Sequence, residues 1–105
     1  MLATHLEVAG DSASRRKGLL GRDGLDPGHA VLIAPTQGVH TFGMRFAIDI
    51  VAVDREGVVV KIRSRVPRRR IVLALKAFAI VELSSGVADA SKLKVSDRLI
   101  FSPKV

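Results

Sequence analysis

Two acids stand in strongly apolar runs. Asp49 lies in Ile48-Asp49-Ile50-Val51-Ala52-Val53, and Glu82 in Ala79-Ile80-Val81-Glu82-Leu83. In an extended strand, successive side chains point to opposite faces. Asp49 therefore projects with Val51 and Val53, while Ile48, Ile50 and Ala52 take the other side. A carboxylate among such neighbours is costly unless it is paired or accepts hydrogen bonds. Arg15 and Arg45 are its natural partners. The preferred reading is structural: an ion pair at the core edge that fixes the loop ahead of the strand. The functional alternative is a charged pocket floor. Glu82 repeats the problem, sharing a face with Phe78 and Ile80 near a strand end where it can reach water or an arginine. Asp49, Glu82 and His40 together would supply the paired carboxylates and acid–base group of a hydrolytic enzyme, but their spacing does not fix their separation.

The stretch from Gln37 to Phe46 offers His40, Thr41, Met44 and Arg45 beside Gly38 and Gly43. Mixed polar and apolar loops often line sites, and a histidine titrates near neutrality. No serine-centred elbow accompanies it. Phe42, Met44 and Phe46 also alternate, which is how a strand enters a core, and that reading is preferred. The segment Arg15 to Arg22 is the second place where cationic side chains could meet a ligand.

Lys61, Arg63, Arg65, Arg68, Arg69, Arg70 and Lys76 fall within sixteen positions, and no acid lies between Gly57 and Val81. Those seven charges equal the whole net charge of +7. Such a segment could neutralise phosphates. It contains no interleaved stacking aromatics, and alternating cations also mark the wet face of an edge strand. The wet-face reading is preferred, with a polyanion as the alternative.

The elements that must position these groups read mostly as strands. Leu2, Thr4, Leu6 and Val8 alternate with Ala3, His5 and Glu7. Asp11 or Ser12 caps a short helix over Ser14 to Leu20. Gly21 to Gly28 is a loop, and Ala30 to Ala34 a buried strand. Phe46 to Asp54 and Val58 to Arg65 form a hairpin around Asp54-Arg55-Glu56-Gly57, with Asp first and Gly last as a type I turn prefers. Val60, Ile62 and Ser64 take its dry face. Pro67 to Arg70 is a basic loop. Ile71 to Leu75 and Ala77 to Ser84 are further strands, Gly86 to Leu93 one helical turn, and Arg98 to Phe101 a closing strand.

The chain has 105 residues, enough for one core. Val (14) and Ile (7) make up a fifth of it, and Phe is the only aromatic, a balance that favours strands. The absence of cysteine excludes disulfides, thiolate metal sites and thiol catalysis. His5, His29 and His40 match no metal-ligand spacing. Neither a secretory signal nor a bilayer-length apolar run is present.

Three pieces carry a resemblance over nearly the full chain. They are Arg15-Arg16-Lys17-Gly18-Leu19-Leu20-Gly21-Arg22, His40-Thr41-Phe42-Gly43-Met44-Arg45-Phe46-Ala47-Ile48-Asp49-Ile50-Val51, and Ala79 to Leu83 followed by Ser96-Asp97-Arg98-Leu99. In this order they resemble domain-of-unknown-function family 192, small prokaryotic proteins. Leu20, Ala47 and Ser96 stand where that family usually has Met, Pro and Gly. The resemblance implies a mainly β sandwich and assigns no activity, cofactor or catalytic residue.

The expectation is therefore a single mainly β domain, a small sandwich or barrel-like fold with one or two short helices. Its leading function is a non-enzymatic binding or accessory module in the cytoplasm. A small ligand or protein would sit near Arg15, Arg22, His40, Thr41, Met44, Arg45 and Asp49. No metal, cofactor or membrane partner is expected.

Overall fold

The computed structural model describes residues 5–11, 19 and 22–101. Among them the elements run β1 (His5–Ala9), β2 (His29–Ile33), β3 (Gly38–His40), β4 (Ile48–Val53), β5 (Val59–Val66), β6 (Ile71–Leu73), β7 (Ala79–Ser84) and α1 (Val87–Ala90). The helix expected over Ser14 to Leu20 lies outside the described residues except for Leu19, as does Arg15.

The mainly β reading holds, as two sheets rather than a closed barrel. One sheet has the order β1-β2-β7-β4-β5, and the other pairs β3 with β6. β1 and β2 run parallel, and every other pair is antiparallel. Both faces of the large sheet are covered. On one face Val31, Ile33, Ile48, Ile50 and Ile80 meet Leu19, Met44 and Val72. On the other, Val51, Val53, Val81 and Leu83 meet Val87, Leu93, Leu99 and Phe101. This double cover explains why β4 is buried along its whole length and carries apolar residues in both registers.

The β4–β5 hairpin forms around the expected turn. Gly57 N–H donates to the Asp54 carbonyl at 3.1 Å. The Asp54 carboxylate accepts from the amides of Glu56 at 2.9 Å and Val58 at 3.0 Å. Gly57 has φ +83°, and a Cβ there would lie 2.4 Å from the Leu99 carbonyl oxygen, so only glycine fits.

The expected dry face of β5 is not formed. Val53 pairs with Val59 but Ala52 with Lys61, which leaves Val60 as an extra residue. A bulge of this kind shifts the face to which later side chains point. Val60 then packs on the first core and Ile62 on the second, while Ser64 is exposed. The expected last strand is reduced to a single bridge between Val58 and Arg98. β3 forms where the sequence suggests a loop; its three residues are ordered by pairing with distant β6 rather than by local pattern.

Candidate functional site

Asp49 is fully buried, as its neighbours require, but no guanidinium among the described residues holds it. Its Oδ1 accepts backbone amides of Arg65 at 2.8 Å and Gly86 at 3.1 Å, and its Oδ2 that of Ala88 at 2.8 Å. The expected partner Arg45 instead meets Asp23 at 2.6 Å. The reason lies in the backbone. A second irregularity in β5 leaves Arg65 at φ 52°, and Gly86 enters α1 at φ 93°. The amides of both segments converge on one carboxylate, which satisfies the first turn of the helix and the bulge together. Asp49 is a bracket, not the floor of a pocket.

Glu82 lies on the opposite face. The register pairs Asp49 with Leu83 and Ile50 with Glu82, and partners in a ladder share a face. The hydrolytic trio is therefore not assembled: the sheet separates the two carboxylates, and His40 is exposed on the outer sheet. Phe78 does not share the Glu82 face either, because it precedes β7 and packs on the second core. Nor does Glu82 reach water: the residue is 3% exposed.

One row of paired residues crosses the large sheet from edge to edge: Glu7, Val31, Glu82, Ile50 and Arg63. Above it Arg22 forms a two-pronged pair with Glu7, at 3.2 and 2.6 Å. The hydrogen bonds that Arg22 donates to the Glu7 carboxylate hold the guanidinium proton more firmly than usual. Among the described residues, none makes such a contact with Glu82. Its Oε1 is buried without a hydrogen-bond partner. Burial raises its carboxyl from an ordinary 4.5 to about 7, against the opposing field of Arg22. The Glu7–Arg22–Glu82 cluster was legible only in part. Glu82 stood out as an acid in an apolar run, but its link to Glu7 and Arg22 depends on a parallel pairing between distant strands.

The other expected residues divide. Arg22 is half-buried at this cluster, and the Arg45–Asp23 pair ties its loop to the turn after β3. Met44 is buried in the first core, as the core reading anticipated; Phe46 is partly buried there, and Phe42 is exposed. Thr41 is fully buried, and its hydroxyl donates to the Pro67 carbonyl at 2.7 Å and accepts from the Arg70 amide at 2.8 Å. It is a staple between loops. In the basic segment, Arg65 is paired with Asp89, and Lys61 donates to the Leu73 carbonyl at 2.6 Å. Arg63, Arg68, Arg69 and Arg70 are exposed and show no carboxylate partner among the described residues. β5 is an edge strand, as its cations indicated.

Two surface clefts of about 670 and 490 Å³ flank Phe78, over whose ring the Arg55 guanidinium sits at 4.4 Å. Lys76 of the basic segment lines the first of them, whereas Arg22, His40, Thr41, Met44, Arg45 and Asp49 line neither. No group of three metal-ligating side chains occurs among the described residues.

The family model of DUF192, described as Uncharacterized ACR, matches residues 2–101. The chain belongs to this family. Two solved structures share the fold. A Novosphingobium aromaticivorans protein of unknown function superposes with a TM-score of 0.81 at 22% identity, covering 89% of this chain and 71% of its own. A Sinorhizobium meliloti protein, provisionally named a transcription regulator, gives 0.82 at 19% identity, covering 89% and 78%. No curated protein matches the DUF192 chain.

Proposed function

We propose that this DUF192 chain is a binding module that recognises a small polar ligand through the Glu82 carboxyl, with Arg22 and Glu7 beside it. The supporting observation is the buried Oε1 of Glu82 without a hydrogen-bond partner. A rise in its carboxyl from 4.5 to about 7 corresponds to roughly 3 kcal/mol of stability forgone near neutrality. A residue kept only for packing does not require that cost, whereas a recognition group does. The chemistry favours a ligand that donates hydrogen bonds, above all an amine. It would hold Glu82 ionised and release a proton where the carboxyl was protonated.

A nuclear magnetic resonance screen of small amines and carboxylates tests this. An amine should shift signals of Glu7, Arg22 and Glu82, and Glu82→Gln should abolish the effect while the fold persists. Absence of any shift across the panel, or binding that survives both Glu82→Gln and Arg22→Gln, overturns the reading. The Sinorhizobium name points to a nucleic-acid partner instead. Its support here is the exposed Arg68 to Arg70 loop; α1, with four residues, is too short to fill a groove.

A further inference from the structure

The small sheet turns an apolar face outward. Ile71 is 66% exposed, Leu73 57%, and Leu75, just past β6, 77%. Their alternating partners Val72 and Ala74 are buried in the first core. Across the ladder His40 stands beside Ile71, and Phe42, 47% exposed, rests its ring 5.9 Å from that of His40. Gly38 stands opposite Leu73, whose side chain lies over it, and a Cβ at Gly38 would come within 2.7 Å of Leu73 Cδ2. Ile71, Leu73 and Leu75 thus form an outward apolar stripe, which Phe42 extends across His40.

Cations frame the stripe. Arg68, Arg69 and Arg70 enter it at the Ile71 end, Lys76 leaves it at the other, and Lys61 lies alongside with its Nζ on the Leu73 carbonyl. The basic loop is fixed. Thr41 holds Pro67 and Arg70 with its hydroxyl, donates its amide to the Arg70 carbonyl at 2.8 Å, and accepts the Arg69 amide at 3.3 Å. The loop backbone is therefore ordered before binding, which leaves only the arginine side chains to be immobilised.

We propose that this face docks on an anionic lipid surface, with Phe42, Ile71, Leu73 and Leu75 entering the headgroup boundary and Arg68, Arg69 and Arg70 meeting lipid phosphates. Aliphatic side chains beside arginines match such a boundary, where burial and charge attraction act together. Nucleic acid fits less well, since a row of Ile and Leu offers phosphates and bases nothing and the stripe has a single phenylalanine. Strand addition by a peptide is opposed by Lys61, which occupies the Leu73 carbonyl at the β6 edge. The expectation of no membrane partner rests on the lack of a bilayer-length segment, and no helix among the described residues is long and apolar enough to cross a membrane; peripheral docking needs none.

Co-sedimentation with phosphatidylcholine vesicles, with and without roughly one third phosphatidylglycerol, tests the proposal on the whole chain. Binding is expected only to the anionic vesicles. Ile71→Ser/Leu75→Ser should weaken it about tenfold, and Arg68→Gln/Arg69→Gln/Arg70→Gln about a hundredfold. All five side chains are exposed, so unchanged melting temperatures confirm that the variants fold. No retention on anionic vesicles at low salt overturns the proposal. So does an Ile71→Ser/Leu75→Ser variant that binds as well as the parent, which would reduce the effect to bare charge. So does preferential binding of duplex DNA by the parent and the apolar variant alike, which would make nucleic acid the partner.

Discussion

Asp49 and Glu82 occupy neighbouring strands and have opposite electrostatic fates. Asp49 collects three backbone amides, which serve it as a replacement for water. Removing its carboxylate leaves those buried donors unmatched, at about 1–3 kcal/mol each. Asp49→Ala should accordingly unfold the chain or lower its urea midpoint drastically. Asp49→Asn keeps the oxygen facing Arg65 and Gly86 but turns an NH2 toward the Ala88 amide, and should cost roughly 2 kcal/mol. Glu82 is bare. Its carboxyl is raised to about 7 in the folded chain, so folding favours the protonated form. Its contribution to stability is complete below about 4.5, declines as pH rises, and is lost above about 7. Urea denaturation of parent and Glu82→Gln at both ends of that range should show the parent losing roughly 3 kcal/mol relative to the variant as pH rises.

At the scale of elements, two short connections set the geometry. Thr41→Val should leave the Pro67 carbonyl and the Arg70 amide without their shared partner, cost about 1–3 kcal/mol, and speed amide exchange across residues 68–70. Gly57→Ala combines a left-handed backbone with a clash on the Leu99 carbonyl, and should lower stability by roughly 2 kcal/mol or more in thermal melts. The hairpin around Gly57 was legible in the sequence because Asp54 and Gly57 act within four residues. β4 and β7 were legible as dense apolar runs. The bulges in β5 were not, since they depend on which residue of β4 each side chain faces. Nor were the amide partners of Asp49, because Arg65, Gly86 and Ala88 reach it only through tertiary pairing. An arginine was the reasonable expectation from charge alone; the backbone supplied the donors instead.

Over the whole molecule, charge and apolar surface are segregated. Among the described residues the sheet interior carries one bracketed acid and one unpartnered acid, and the cations gather along β5 and in the basic loop, beside the apolar outer face of β6. The family match and the two structural neighbours agree with this architecture and leave its chemistry open. The proposed Glu82 site and the proposed lipid-docking stripe share no residue, so Glu82→Gln should leave vesicle binding unchanged while removing amine recognition.

The middle of the large sheet belongs to β7, which joins β2 on one side and β4 on the other. It is also the last strand in chain order among the described residues. A nascent chain leaving the ribosome can close the β4–β5 hairpin early, but β1 and β2 have nothing central to attach to until Ser84 has emerged. Until then the oily halves of both layers stay open to water, and a stop codon anywhere before β7 leaves fragments that no sheet can gather.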